Sequence, residues 1–486
     1  MKKVVTIQPI TRLEGHGKIS IFLDETGNVK DAYYQVVEFR GFERFCIGRP
    51  VEEMPIITPR ICGVCPWAHH MASAKAVDAV YGAELPKTAK KIREMAYNIF
   101  YIHDHSAVFY ALSAPDFVVG PDAPRAERNI LGLIGKIGLE TGKKVINARM
   151  VATKLLEKLA GRAIIPTCAV PGGVSKPLTE DDRKEIEEGA KKLVDFSQFT
   201  LKIFEDVVLK NQKYLDLIMG DVYKHETYYM GLVDEKGLVN YYDGKVRVVD
   251  PKGRIYTEFH PKDYLNHIGE HVETWTYLKF PYLKSLGWKG IVDGETSGVY
   301  RVGPLGRLNV ADGFATPLAQ EAYEKFKEIL GKPAHATLGY HWARVIEILN
   351  AAERVLELSK DPDITGKDFR VPLTNTPSEG VGIVEAPRGT LIHHYKTDQN
   401  GILTDVNLIV ATTHNNAGIC MSVKKASQQL IRGGNVNDGL LNMIEMAFRA
   451  YDPCLACGTH ALPGQMPLDV CIYDANGRLV VEIKRP

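Results

Sequence analysis

The chain has 486 residues, of which 45% are hydrophobic and 24% charged, a composition typical of a globular protein. Its 60 Lys and Arg residues balance 59 Asp and Glu residues, which argues against nucleic acid or an anionic membrane as the main partner. No apolar run approaches the length of a membrane span, and the N-terminus does not resemble a secretion signal. Eight cysteines are too few for a disulfide scaffold, so a reducing, cytoplasmic location is expected.

The predicted secondary structure begins with strands and then becomes largely helical. Strand-like runs at 18–23 and 32–37 flank a turn sequence at 24–28, which predicts a β-hairpin. Thr179, followed three residues later by Asp182, is typical of a helix start. Helical periodicity predicts long helices at 72–81, 87–113, 124–160 and 180–219.

The second half of the chain mixes strands and helices. Residues 220–310 are rich in glycine, tyrosine and charge, and we expect them to form a lobe inserted on the helical body. Further predicted elements are helices at 317–331, 338–360, 418–432 and 438–450, strands and loops at 380–412, and a hairpin at 465–484. The sequence therefore predicts an α+β fold, with a core bundle of long helices and peripheral β-rich lobes.

Two C-x-x-C pairs are the strongest chemical signal in the chain. Cys62 and Cys65 lie in R-I-C-G-V-C-P-W-A-H, and Cys454 and Cys457 lie in D-P-C-L-A-C-G-T-H. This spacing lets two thiolates bind one metal ion. The other cysteines form no cluster-binding pattern, and the chain has no dinucleotide-binding fingerprint and no phosphate-binding loop.

On spacing alone, two such pairs more often form a structural zinc site than a catalytic centre. Two observations favour a catalytic centre. About 390 residues separate the pairs, whereas small zinc modules place them roughly 15–20 residues apart, so the whole fold must assemble this site. The flanking residues are also specific, with an arginine before the first cysteine and Asp-Pro before the third. A disulfide is the weaker alternative in a reducing compartment.

These motifs resemble the paired signatures of the nickel–iron hydrogenase large subunit. The resemblance runs from T-R-L-E-G-H at 11–16 to the histidine at 460. Other matching segments are F-R-G-F-E at 39–43, residues 103–117, P-G-G-V at 171–174 and E-A-P-R-G at 385–389. The length and N-terminal sequence are most similar to the cytoplasmic methyl-viologen-reducing, F420-non-reducing type, which feeds electrons to a heterodisulfide reductase.

The resemblance implies reversible heterolytic cleavage of H2 into protons and electrons at a nickel–iron centre. Four thiolates would hold nickel, with Cys62 and Cys454 as terminal ligands. Cys65 and Cys457 would bridge nickel to an iron that carries CO and cyanide. Thiolates are soft donors that suit such metals.

Five further residues acquire roles from the resemblance. His69 would hydrogen-bond a bridging sulfur, and Arg388 would lie over the iron near the cyanides. Asp116 would be an acid near that arginine, and Thr412 would donate a hydrogen bond to cyanide. Glu14 would relay protons from a cysteine.

The resemblance also implies a second metal, processing and partners. Glu43, His460 and the carbonyl of Leu408 would bind a buried magnesium ion. Residues 1–460 would be the catalytic body. Residues 461–486 would be a C-terminal extension that a maturation protease removes, although the segment could instead be retained. Electrons would pass to an iron–sulfur small subunit and onward to further electron-transfer subunits, with no direct membrane span.

Two other functions remain open at this point. A non-catalytic hydrogenase-like scaffold would share the fold, but such relatives lack the cysteines, and this chain has all four. A structural zinc-binding interaction protein would hold zinc, contain no nickel and show no redox turnover.

Overall fold

The framework of the protein is a bundle of four long helices. The computed structural model describes residues 4–459, 468–474, 476 and 478–485. The bundle helices are Lys87–Ala107, Leu139–Ala160, Glu180–Phe204 and Gly339–Ser359. The other helices of eight or more residues are Pro66–Val80, Ile130–Ile137, Gln212–Met219, Pro317–Leu330, Asn416–Leu430 and Asp438–Arg449. Within these described residues, no helix is both long enough and apolar enough to span a bilayer.

The helical predictions are confirmed, with changes where glycine or a wider turn intervenes. The expected capping box forms, because Thr179 Oγ1 accepts a hydrogen bond from the Asp182 N–H at 3.1 Å and the Asp182 carboxylate accepts one from the Thr179 N–H. The predicted helix at 124–160 is two helices, which meet at Gly138 with φ of +85°. Shorter helical segments include Phe42–Cys46, Ala114–Val118, Pro304–Val310, Ala411–His414 and Leu455–Gly458, with π-helical turns at Val108–Ser113 and Glu205–Leu209.

The strands form small, mostly antiparallel sheets around the bundle, which confirms the α+β fold. The predicted first hairpin pairs Gly17–Leu23 with Val29–Val36. The sheets, in spatial order, are Val4–Ile7, Gly17–Leu23 and Val29–Val36; Tyr300–Arg301, Tyr228–Val233, Lys245–Val249 and Ile255–Phe259; Phe280–Leu283 and Ile268–His271; Glu379–Ala386, Gly389–Thr397 and Leu403–Ile409; Ala169–Val170 and Gly173–Val174; and Leu468–Tyr473 and Leu479–Arg485.

Two of the predicted β regions differ in how they join the body. The segment at 220–310 contributes strands whose apolar face packs with Ile383, Ile392 and Ile409 of the sheet at 379–409. The predicted C-terminal hairpin is present as an antiparallel strand pair. The division into a body, an inserted lobe and a C-terminal extension stays a prediction.

The helix Pro66–Val80 lies directly on the sheet at 379–409, and this packing places the first cysteine pair. Gly380 and Gly382 face the helix so closely that an added Cβ would overlap its backbone. Because glycine permits this approach, the N-terminus of the helix, with Cys65 just before it, meets the turn that carries Arg388.

Candidate metal centre

The two predicted cysteine pairs meet in one buried cluster. The Sγ atoms of Cys62 and Cys454 are 3.1 Å apart, those of Cys65 and Cys457 are 3.3 Å apart, and those of Cys454 and Cys457 are 2.8 Å apart. All four sulfurs lie within 4.8 Å of one another. These separations exceed the ~2.05 Å of a disulfide, so the four cysteines form no disulfide and converge on one point, as metal ligands do.

The local backbone aims donors at the sulfurs. Cys62 follows the helical turn Thr58–Ile61, and its Sγ accepts hydrogen bonds from the N–H groups of Val64 and Cys65, both at 3.2 Å. Cys454 is fixed from another element, because its own N–H donates to Thr412 Oγ1 at 2.9 Å. Backbone N–H groups pointing at a thiol favour its ionised form.

The electrostatics of the cluster call for a cation. Burial raises the pKa of Cys454 and of Cys457. Burial also opposes ionisation of Cys62, but hydrogen bonds from the neighbouring thiols outweigh it and hold the pKa of Cys62 well below its usual range. One thiolate is therefore stabilised at the expense of the others, and a bound divalent metal would allow all four to ionise.

Glu14 contacts a terminal cysteine of the cluster. Cys454 Sγ donates to Glu14 Oε2 at 2.9 Å, and the same oxygen accepts from the Ala456 N–H at 3.1 Å. The Glu14 carbonyl accepts from the Leu455 N–H, which fixes the two segments side by side. Burial, followed by the charge of Cys62, raises the pKa of Glu14. The carboxylate is thus placed to exchange a proton with the Cys454 sulfur.

Arg388 lies at the turn between Glu379–Ala386 and Gly389–Thr397 and is buried among carboxylates. Its Nε donates to the Asp452 carbonyl at 2.8 Å, its Nη2 lies 3.0 Å from Asp452 Oδ2, and its Nη1 lies 3.3 Å from Asp104 Oδ2. Burial lowers the pKa of such a group, but these carboxylates more than offset it, so the pKa of Arg388 lies well above its ordinary value. The guanidinium stays charged beside the sulfurs.

The predicted position of Asp116 beside Arg388 is wrong. The Asp116 carboxylate binds Arg12 at 2.5 Å and Arg449 at 2.7 Å instead. The acids at Arg388 are Asp104 and Asp452, which the sequence prediction missed. Both lie within recognised motifs, since Asp104 belongs to the matching segment at 103–117 and Asp452 precedes Pro453 in the second cysteine motif.

A small cavity next to the sulfurs brings together most of the remaining predicted residues. His69 and Thr412 both line it. His69 is fully buried, and its Nδ1 lies 3.1 Å from His393 Nε2. The cavity is apolar except for the sulfurs, one guanidinium, one imidazole and one hydroxyl. Its lining residues are Cys65, His69, Ala386, Arg388, Leu391, Val410, Ala411, Thr412, Cys454 and Cys457.

The predicted magnesium ligands are partly brought together. Glu43 is buried, and its Oε1 accepts a hydrogen bond from the Leu408 N–H at 2.8 Å. Burial raises the pKa of Glu43 to about 7, which a nearby cation would reverse. His460, the third predicted ligand, lies outside the described residues.

Sequence reasoning also missed the support beneath the Arg388 turn. Arg307 donates to the carbonyls of Ala386 and Pro387, the two residues before Arg388, at 2.9 and 3.0 Å. Glu347 and Glu385 hold Arg307 in turn, and all three charged side chains are fully buried. No local sequence signal marks this network, because its members come from a helix at 304–310, a helix at 339–359 and a strand at 379–386.

Comparison with known proteins places the chain in a family. A model described as "Nickel-dependent hydrogenase" matches residues 40–138 and 181–460, and one described as "HoxL-like" matches residues 4–39. A protein of Archaeoglobus profundus, named as an iron-sulfur subunit of an F420-non-reducing hydrogenase, is 56% identical over all of both chains. An F420-non-reducing hydrogenase subunit of Methanothermobacter thermautotrophicus is 44% identical over 99% of both chains. The crystal structure of an NAD+-reducing [NiFe]-hydrogenase in the H2-reduced state is 39% identical, with a TM-score of 0.88, and covers 94% of this chain and 100% of its own.

Together, the fold and the four-thiol site define an oxidoreductase that acts on H2. The chain belongs to the nickel-dependent hydrogenase family, as a nickel–iron hydrogenase large subunit similar to the F420-non-reducing group. The predicted family, fold class and enzyme class are therefore confirmed. No described feature favours the non-catalytic scaffold or the zinc-binding interaction protein.

Proposed function

We propose that the four cysteines hold a nickel ion bridged to an iron that carries CO and cyanide, with Cys62 and Cys454 terminal and Cys65 and Cys457 bridging. The observation that carries this proposal is the convergence of four buried sulfurs beside an enclosed cavity. Cys65 and Cys457 line that cavity, whereas Cys62 does not. Its apolar wall suits CO, and its few polar groups suit anionic cyanide. When bound, the metals would supply the site at which H2 is polarised and cleaved.

We infer that Glu14 takes up the proton released at the Cys454 sulfur. The 2.9 Å contact lies within the range for direct proton transfer, and burial keeps solvent from competing. Arg388 holds a fixed positive charge at the cavity wall, and Thr412 presents its hydroxyl there. His69, at the start of the helix that follows Cys65, orients the bridging thiolate.

We propose that Glu43, the Leu408 carbonyl and His460 bind magnesium near the C-terminal end of the catalytic body. The adjacency of Glu43 and Leu408 supports this assignment, as does the oxygen-rich chemistry that magnesium prefers. We also propose the division into a catalytic body at 1–460, with a lobe at about 220–310, and a C-terminal extension at 461–486 that a maturation protease removes.

We propose an iron–sulfur small subunit as the direct electron acceptor. The described cysteines outside the cluster, at positions 46, 168 and 420, are isolated and buried, so they offer no onward electron route. Phe39, Phe45 and Val64 are exposed apolar residues beside the cysteine loops, where Arg40 ties the chain to the Ala456 carbonyl at 2.6 Å. A partner covering this surface would bring its clusters close to the nickel.

Further electron-transfer subunits would then carry electrons to a heterodisulfide reductase. The relatives are named as single subunits of F420-non-reducing hydrogenases, which supports a multi-subunit enzyme. The seven described cysteines form no disulfide, and this supports a reducing, cytoplasmic location.

The decisive experiment is infrared spectroscopy on the complex purified without oxygen from its native host. We expect bands in the window where metal-bound CO and cyanide absorb and polypeptide is silent, with shifts under H2. Metal analysis should find nickel and iron in the wild-type protein and lose nickel in Cys62→Ser. An intact mass spectrum establishes whether the C-terminal extension has been removed. A blank window in nickel-loaded protein whose extension is removed would contradict the proposal.

A further inference from the structure

Asp116 lies between the two chain segments that meet at Glu14 and Cys454. Its Oδ1 is 2.5 Å from Arg12 Nη2, and its Oδ2 is 2.7 Å from Arg449 Nη1. The Asp116 side chain is only 2% exposed and that of Arg449 only 1%. One buried carboxylate therefore neutralises two arginines, one from each end of the chain.

The N-terminal segment is held in an unfavourable backbone conformation by these contacts. Arg12 has a φ of +58°, in the left-handed region that non-glycine residues rarely occupy. Its guanidinium also donates to the Leu112 carbonyl at 2.9 Å and to Asn442 Oδ1 at 3.0 Å. Such a conformation persists only where the surroundings fix it, so the position of Glu14, two residues further on, depends on how Arg12 is anchored.

The C-terminal segment is anchored to the same carboxylate. Arg449 is the last residue of the helix Asp438–Arg449, five positions before Cys454. Its Nη2 lies 2.7 Å from Glu445 Oε2, and Glu445 also accepts hydrogen bonds from the N–H and hydroxyl of Thr11 at 3.1 and 2.7 Å. The cluster thus ties the segment before Glu14 to the segment before Cys454 at a point remote from the sulfurs.

We propose that Asp116 is a positioning residue that sets the contact between Glu14 and Cys454 through Arg12 and Arg449. This inference rests on the proposed proton relay by Glu14, and it assigns Asp116 a role separate from the Arg388 cluster. Loss of its charge would release both arginines, relax the backbone at Arg12 and lengthen the path of the proton.

The test compares Asp116→Asn with wild type in the purified complex. We expect the kcat of H2-dependent dye reduction to fall about 10–100-fold, because small misplacements of a reacting group have effects of that size. The KM for H2 and the infrared bands of the metal ligands should not change. The solvent hydrogen isotope effect on kcat should rise, because proton transfer becomes rate-limiting. Hydrogen exchange of the backbone at 11–16 should become faster.

Asp78→Asn is the matched control, since Asp78 is also buried against an arginine, Arg93, at 2.6 Å, but belongs to another part of the fold. It should leave the isotope effect and the exchange at 11–16 unchanged. Arg12→Lys is a second variant that keeps the charge but cannot make all three contacts of Arg12, and it should reproduce the Asp116→Asn effects. This variant retains a test if Asp116→Asn fails to fold.

Three results would overturn the inference. The first is a normal isotope effect in both variants, and the second is unchanged exchange at 11–16. The third is an equal loss of kcat in Asp78→Asn, which would indicate general destabilisation. Glu14→Gln separates the two proposals. If it leaves turnover and isotope effect at wild-type values, the relay itself is wrong, whereas a slow Glu14→Gln beside a normal Asp116→Asn refutes only the positioning role.

Discussion

Replacement of Arg388 by lysine tests whether the fork of the guanidinium matters beyond its charge. Arg388 makes three polar contacts, at 2.8, 3.0 and 3.3 Å, with Asp452 and Asp104. A lysine ammonium on its flexible stem can satisfy about one of them. Two lost hydrogen bonds to charged groups cost about 3–6 kcal/mol at ~1.5–3 kcal/mol each. If the activation barrier bears this cost, kcat falls about 10²–10⁴-fold, since about 1.4 kcal/mol corresponds to a factor of ten.

The assay is H2-dependent dye reduction by the purified complex, with nickel and iron measured in the same sample. Arg93→Lys is the matched control, because Arg93 is fully buried and forked onto Asp78 and the Gly173 carbonyl. We expect Arg93→Lys to lower the unfolding temperature while leaving kcat per nickel within about threefold. An Arg388→Lys enzyme with full metal content and more than a tenth of wild-type turnover would refute the reasoning.

Three further predictions concern the cavity wall, the packing and the pH dependence. Thr412→Val should shift the cyanide bands in the infrared, whereas Thr413→Val should not; unshifted bands in Thr412→Val would count against its role. Gly382→Ala should lower the free energy of unfolding in urea by about 1–3 kcal/mol, because its Cβ would overlap a helix backbone, while Gly135→Ala, in open space, should not. Burial lowers the pKa of His70 to about 4, so stability falls as the pH drops below the ordinary value of 6.5. Between pH 7 and 5 this loss amounts to about 2 kcal/mol in urea unfolding, and it should shrink in His70→Gln.

The parts of the site that could be predicted were those written in adjacent residues. The thiol pairs follow from C-x-x-C spacing, and the capping box from Thr179 and Asp182. The acid at Arg388 could not be chosen this way. Asp104 and Asp116 lie twelve positions apart, which is about 120° around a regular helix, and the π-helical turn at Val108–Ser113 changes that angle further. Only the folded helix shows which of the two faces the arginine.

The network beneath the Arg388 turn was inaccessible to sequence reasoning for a different reason. Arg307, Glu347 and Glu385 are each ordinary charged residues in their local context. Their partnership arises because three distant elements pack together and bury all three charges. A buried charge is tolerated only with partners, and sequence alone does not reveal which partners tertiary packing will supply.

The separation of the two cysteine pairs along the chain has a consequence for biosynthesis. Cys62 and Cys454, whose sulfurs lie 3.1 Å apart in the fold, are 392 positions apart in sequence. At a translation rate of about 5–20 residues per second, the first pair leaves the ribosome roughly 20–80 s before the second. A truncated product can present only two thiols, so the full set of metal ligands exists only in a completed chain. The order of the ligands along the polypeptide thus makes metal loading a late step and restricts it to finished molecules.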